Sequence, residues 1–305
     1  MSDTVATITE RGAPPARPAR ARSLGAWLGV LPFFLFVLAF LALPIIFLVI
    51  GSLTNAQGQL TLDNYVHLST PTVARAYANS IEISAVTAIV GGILGLLLAY
   101  AVILGGLPRQ LRSAVMTFSG VASNFAGVPL AIAFIFTIGQ LGILTSFLEN
   151  VFGWNIWDTK GTNFNLYSRI GLEIVYLYFQ FPLMVLIIAP AIDGLKKEWR
   201  EAAENMGASS VEYWRRVALP VLLPSILGCI ILLFGNAFGA QATAYQLTSG
   251  QIPLVTLLIG IQMSGDVLHD PNLAYALAMG MVIIMTITIA IYTVLQRRTE
   301  KWLRS

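Results

Sequence analysis

The sequence predicts an all-α membrane protein with six transmembrane helices, both termini cytoplasmic and one helical loop on the inner side. Three observations predict this. First, 11% of the 305 residues are charged and 56% are hydrophobic, whereas a soluble globular chain carries about 25% charged residues. Second, the charges bound six long uncharged runs, 23–62, 83–108, 113–148, 174–192, 217–265 and 271–296. Each can supply the roughly 20 apolar residues that cross a bilayer. Third, if the N-terminus is inside, 15 of the 18 Lys and Arg residues fall in inside segments and only Arg75, Lys160 and Arg169 fall outside. Basic residues collect on the cytoplasmic side of membrane proteins. The sequence pI of 9.1 is therefore a topology signal rather than the mark of a nucleic-acid partner. A soluble enzyme and a secreted disulfide scaffold are excluded, and the single cysteine, Cys229, reads as a small packing residue in an apolar run.

Residues 1–23, rich in Arg, Pro and Ala, read as a disordered cytoplasmic tail. The first uncharged run is far longer than the apolar region of a signal peptide, about 7–15 residues, so the first span reads as uncleaved. Residues 24–297 form the membrane domain and 298–305 a cytoplasmic end. Within it the expected helices lie near 25–51, 79–104, 114–140, 170–192, 218–246 and 273–296, since lipid-exposed backbone must satisfy its own hydrogen bonds. Pro129 and Pro182 are expected to kink their helices. Of the outside loops, 52–78 reads as polar and partly extended. The loop 141–169 carries Trp154 and Trp157, residues typical of the membrane interface, beside Asp158 and Lys160. In 247–271, Gly250, Pro253 and Gly265 interrupt an apolar stretch that reads as a short helix dipping back into the membrane.

Residues 193–216 form the one large inside loop and hold ten of the 33 charges. Lys196 to Met206 contains strong helix formers and no breaker, with Lys197/Glu201 and Arg200/Glu204 spaced for i,i+4 pairing. Gly207 suits a helix C-terminus that needs positive φ. Ser209 or Ser210 can cap a second short helix, 211–216. The result is helix–turn–helix, with Ala202 and Ala203 offering a patch where another surface can come close. A plain solvated loop is the alternative that these residues alone leave open.

This loop resembles the signature segment of permease subunits of binding-protein-dependent ABC importers. That pattern is Glu-Ala-Ala, three residues, Gly, nine residues, Ile, any residue, Leu-Pro. Here Glu201, Ala202 and Ala203 precede Gly207 at the same spacing, and Val217 stands for Ile before Leu219 and Pro220. Asn205 stands where an Asp is frequent. Leu60-Thr-Leu-Asp-Asn-Tyr65, Asn79-Ser80 and Phe125-Ala-Gly-Val-Pro-Leu130 look like the same family. Ala237-Phe-Gly-Ala-Gln-Ala-Thr243 with Ile252-Pro-Leu-Val-Thr-Leu-Leu-Ile259 looks most like its spermidine/putrescine branch. Phosphonate, ferric-ion and thiamine permeases share that pattern. The resemblance implies a coupling helix docked on a cytoplasmic ATPase through Glu201, Ala202, Ala203, Gly207, Leu219 and Pro220. It also implies two ATP-binding subunits, a second and non-identical permease, an extracytoplasmic substrate-binding protein, and an inner-membrane location. This chain would bind no cofactor, and ATP-Mg would be used by the partner. The sequence agrees in lacking a phosphate-binding G-x-x-x-x-G-K-[ST] loop.

Polar residues at membrane depth are candidates for the substrate pathway, because lipid makes them costly. Asn236, Gln241 and Tyr245 in the fifth span are the strongest, with Asn124, Gln140 and Gln180 beside them. Glu82 and Glu173 begin the second and fourth spans. They read either as solvated helix-start carboxylates or as an entrance that attracts a polyamine. Gly235-Asn-Ala-Phe-Gly239 reads either as a close helix contact or as a local break exposing backbone to a cavity. An ion-coupled secondary transporter is the rival of another class, but the midplane charges common in such proteins are absent from the six runs. An intramembrane enzyme would need a base or metal set there. His67 and His269 both lie outside the runs.

Overall fold

The computed structural model describes residues 24–158, 164–264 and 269–304. The expected tail, Lys160 and Gly265 lie outside the described residues. By its internal contacts the chain divides into two units, 1–47 and 48–305. The first contains α1, Leu24–Val37, and a π-helical turn, Leu38–Ala42. Its exposed side chains include Phe33, Phe36 and Phe40.

The helix α2, Leu43–Ser52, leads into the second unit, which continues with α3, Asp63–His67, and α4, Pro71–Leu104. The segment expected to be extended is partly helical. After a single antiparallel bridge between Thr54 and Leu60 the chain turns into α3. The buried Asn64 fixes it there by donating to Ser52 O at 3.0 Å and Thr54 O at 2.9 Å.

The helix expected at 114–140 is two pieces, α5, Arg109–Asn124, and α6, Val128–Ile138, and a further helix, α7, Ile143–Phe152, follows within the segment expected as an outside loop. The first break has a local cause. Gly127 sits at φ +75°, a conformation cheap for glycine alone. Pro129 follows at the second position of α6, where its missing N–H costs nothing. Pro129 therefore starts a helix instead of kinking one, whereas Pro182 and Pro190 both lie inside α8, Arg169–Asp193.

The inside loop folds as α9, Lys197–Asn205, and α10, Ser210–Tyr213, followed by a π-helical turn, Trp214–Ala218. The fifth span is divided too. The helix α11, Leu219–Phe238, stops before Gly239 and resumes as α12, Ala242–Thr248. Then come α13, Val255–Ser264, and α14, Pro271–Arg304. The apolar helix expected within 247–271 is α13. Ser80 Oγ accepts from Val255 N–H at 3.0 Å, and Asn79 donates to Pro253 O at 3.1 Å.

Among the described residues six helical segments are long and apolar enough to cross a membrane: Gly29–Ser52, Pro71–Leu104, Val128–Phe152, Arg169–Asp193, Ser210–Phe238 and Pro271–Arg297. The protein is all-α, with no sheet among the described residues. In the second unit α8 is the central helix, packed by α4, α5 and α11. Lipid gives helices no hydrophobic drive to associate, so close contact depends on small residues. On α4, Gly91 lies against Gln180 and Gly95 against Met184 and the backbone of Phe181, so close that a Cβ at either glycine would stand within 2.8 Å of them. Around α8, Leu172, Tyr176 and Phe179 anchor one core cluster, and Met184, Ile188 and Ile192 anchor the next.

The ion pairs seen between helices among the described residues join segments that the charge count puts on the same side. At the α9 end, Arg112 makes a two-pronged contact with Asp193 at 2.7 and 2.9 Å. At the other end Arg169 bridges Glu82 at 2.7 Å and Glu173 at 3.0 Å.

Candidate functional site

Two places concentrate the sequence candidates. The first is the α9–α10 elbow. Gly207 leaves α9 at φ +81°, and Ser209 caps α10 in a reciprocal box. Its hydroxyl accepts from Glu212 N–H at 3.3 Å, while Glu212 Oε2 accepts from Ser209 N–H at 3.0 Å. Of the two expected i,i+4 pairs, Arg200–Glu204 forms at 2.9 Å, and that hydrogen bond raises the guanidinium pKa above its usual value. The pair Lys197–Glu201 does not form among the described residues, which leaves the Glu201 side chain exposed.

The two alanines separate. Ala203 is 5% exposed and packs with Tyr213 and Ala218 inside the elbow, while Ala202 faces outward. The patch read as two alanines is therefore one alanine on the surface and one holding α9 to α10. Leu219 and Pro220 open α11 directly behind the elbow. Met206, 82% exposed, and Val211, 75% exposed, present bare apolar groups beside Gly207. Sequence reasoning missed both. Their signal was an apolar side chain on each flank of the turn in an otherwise charged loop.

The second place is a cavity of about 590 Å³ where the two broken spans meet. It is lined by Asn236, Gln241 and Tyr245 together with Ser123, Gly127 and Thr243. The structure thus brings the three fifth-span candidates to one wall. The breaks are tied across the cavity floor. Gly127 N–H donates to Thr243 Oγ1 at 2.8 Å, and the same hydroxyl donates to Gly127 O at 3.3 Å. Tyr176 donates to the carbonyl of Ala240 at 2.6 Å, which the stop in α11 leaves without a helical partner. The buried Gln180 donates to Leu233 O at 2.8 Å and accepts from Asn236 at 3.4 Å. Irregular backbone at membrane depth is tolerated where protein or a water-filled cavity surrounds it, and both breaks meet that condition. Gly235 and Gly239 play different parts. Gly235 packs close to Met285 of α14, and Gly239 ends α11.

Glu82 and Glu173 are not part of this wall. Both carboxylates contact Arg169, which links α4 to α8 at the start of the two spans.

Residues 91–301 match the family model described as binding-protein-dependent transport system inner membrane component. The chain belongs to that family. As such a permease it is the membrane-embedded part of an importer that works with a substrate-binding protein, while ATP hydrolysis lies in separate subunits. The permease is 28% identical over 227 residues, 73% of each chain, to a probable sulfate transport system permease protein cysT of Nephroselmis olivacea. It is 26% identical over 264 residues to the spermidine/putrescine transport system permease protein PotB of Haemophilus influenzae, covering 85% of this chain and 88% of that one. In fold it is similar to a chain of a bacterial ABC transporter that imports the acidic polysaccharide alginate, with TM-score 0.70 and 17% identity over 90% of this chain and 95% of that one.

Proposed function

We propose that this permease carries a small inorganic oxyanion of the sulfate class, and that its α9–α10 elbow receives the push of a cytoplasmic ATPase. Both termini and the elbow lie on the cytoplasmic side, as the distribution of Lys and Arg requires. Two ATPases act on two permeases, the second a non-identical homologue. This chain binds no nucleotide, and ATP-Mg belongs to the partner. Glu201, Ala202, Met206 and Val211 form the outward surface for that partner. Gly207, Ala203, Leu219 and Pro220 hold the surface rigid on α11, so that a displacement of the elbow moves the fifth span.

The observation that carries the cargo class is the cavity wall. Asn236, Gln241, Tyr245, Ser123 and Thr243 are neutral, and no carboxylate lines it. A polycation in such a site would lose its hydration without a counter-charge. Glu82 and Glu173 are not among the residues that line it, and both contact the one guanidinium of Arg169. Amide and hydroxyl donors, with the positive end of the α6 dipole at Val128, suit an anion. The sulfate permease relative supports the same class. The polyamine reading remains the second one, favoured by the longer alignment with the spermidine/putrescine permease.

The test is Gln241→Glu in the assembled transporter, with uptake of sulfate and of spermidine measured side by side. A carboxylate about 4 Å from a bound dianion such as sulfate costs ~8 kcal/mol at an effective dielectric near 20, so sulfate uptake is expected to fall far more than tenfold. Unchanged sulfate uptake with a rise in spermidine uptake would reverse the assignment.

A further inference from the structure

The helix α7 lies between two points that the structure holds together. By Ile138 the chain has passed from the end where Arg112 meets Asp193 to the end where α8 begins. There Ile138 packs on the cluster that includes Leu166 and Leu172, and its carbonyl accepts from Trp157 Nε1–H at 2.9 Å. The chain leaves this point through a turn at Gly139 and Gly142 that is too tight for a Cβ at either. It is back by Trp157, five residues after α7 ends. A helix of ten residues is about 15 Å long, and the hydrocarbon is about 30 Å thick. So α7 does not cross the bilayer. It either stands out from the membrane or lies along its surface.

Its side chains fall into three sectors. At 100° per residue, Ile143, Phe147, Val151 and Leu144 share an arc of about 100°, and all four are exposed. Ser146, Glu149 and Asn150 share a second arc of about 100°. They are exposed too, and Glu149 accepts from Asn155 Nδ2 at 3.1 Å. The third sector holds the buried Thr145 and the half-buried Leu148, and marks the side turned to the protein. Phe152 also falls there, but at the last position it is exposed and meets the Phe147 ring edge-on, with 6.2 Å between centroids.

Neither water nor hydrocarbon alone suits this helix. Burying a Val, Leu, Ile or Phe side chain is worth about 1.5–3 kcal/mol, which an upright helix in water forgoes four times. Submerging the carboxylate, amide and hydroxyl of the second arc in hydrocarbon is costly. A helix lying in the interface meets both demands. Trp154, exposed just beyond α7, is of the type that sits at that level. The apolar arc also follows on from α6, which exposes Phe136.

We infer that α7 is an interfacial helix, lying along the membrane surface at the end where α8 begins, with Ile143, Leu144, Phe147 and Val151 seated in lipid and Ser146, Glu149 and Asn150 turned to headgroups and water. The partner of this face is the bilayer itself. Its seat fixes the depth of the Gly139–Gly142 turn and so of one end of α6, whose other end carries the tie between Gly127 and Thr243. The inference uses only the membrane-spanning fold and is independent of the cargo.

The experiment is depth measurement with nitroxide labels in the assembled transporter in lipid vesicles, without binding protein. The labelled variants are Ile143→Cys, Phe147→Cys and Val151→Cys, with Ser146→Cys as the polar-face control. The native Cys229 is buried. Depth is read from collisions with oxygen, which enriches in lipid, against a water-soluble nickel chelate. Val151 lies eight residues beyond Ile143, so an upright helix separates the two by about 12 Å. The expected result is one shallow depth for the three apolar-face labels, differing by well under half of that, with Ser146→Cys open to the chelate. A depth that changes by the full separation from Ile143 to Val151 would overturn the inference. So would free access of the chelate to all three labels, the result for a face left open for another protein. Ile143→Cys and Val151→Cys bracket the helix and suffice for the comparison, so a folding defect in Phe147→Cys leaves the test intact.

Discussion

The tie between the two broken spans predicts a measurable loss when one oxygen is removed. Thr243 is 2% exposed, and its hydroxyl both accepts from Gly127 N–H at 2.8 Å and donates to Gly127 O at 3.3 Å. Thr243→Val keeps the volume and the β-branching but takes away both bonds. A typical intramolecular hydrogen bond contributes about 0.5–1.5 kcal/mol net, and a donor left unsatisfied in a buried place costs about 1–3 kcal/mol. Gly127 N–H cannot turn to another acceptor, because its φ of +75° is fixed by the start of α6. The expected loss is therefore about 1–3 kcal/mol, which is roughly 5–150-fold in the balance between the tied cavity and an opened one. The assay compares Thr243→Val with Thr243→Ser by denaturant titration of the purified transporter and by uptake in vesicles. Serine retains the hydroxyl and is expected to keep most of the stability and the uptake. If valine and serine lose the same amount in both measurements, side-chain volume rather than the hydrogen bonds holds the breaks together, and the reasoning fails.

Two further predictions concern packing and the elbow. Gly95→Ala drives a methyl to about 2.5 Å from the Phe181 carbonyl and Met184 Cβ, so it is expected to destabilise the α4–α8 contact by about 1–3 kcal/mol; the same denaturant titration reads this against Gly29→Ala, where nothing lies within 4 Å and no loss is expected. Gly207→Val puts a β-branched residue at φ +81°, a strain of about 1–2 kcal/mol, and Glu201→Arg reverses an exposed charge. Both are expected to abolish uptake and transport-coupled ATP hydrolysis while the amount of protein in the membrane stays normal, so that retained uptake in either would refute the coupling role of the elbow.

Much of the fold was legible because a bilayer imposes a simple rule. A run without charges and about as long as the hydrocarbon is thick must be helical. Hence the second, fourth and sixth spans were found, although α4 starts at Pro71 and α14 runs to Arg304, beyond the apolar stretches. Local chemistry was legible as well. Gly207 and Ser209 carry their conformations with them, because a positive φ and a capping hydroxyl are properties of one or two residues.

The breaks were harder. Phe125-Ala-Gly127 and Gly239-Ala-Gln241 sit inside uncharged runs, where apolarity alone reads as one helix. Their backbone groups become affordable only through partners far away in sequence, Thr243 for Gly127 and Tyr176 for Ala240. In the same way, Ala202 and Ala203 are identical side chains, and only the fold of α10 back onto α9 buries one and exposes the other.

The sequence by itself determined the number of apolar segments, the gathering of basic residues in alternate connecting segments and the motif of the elbow. Each follows from composition or spacing along the chain. The tertiary structure alone decided that Asn236, Gln241 and Tyr245 share a cavity with Gly127 and Thr243, and that Glu82 and Glu173 are spent on Arg169. The physical reason is the same in both cases. What a polar group does inside a membrane depends on which partner reaches it, and that partner comes from another helix.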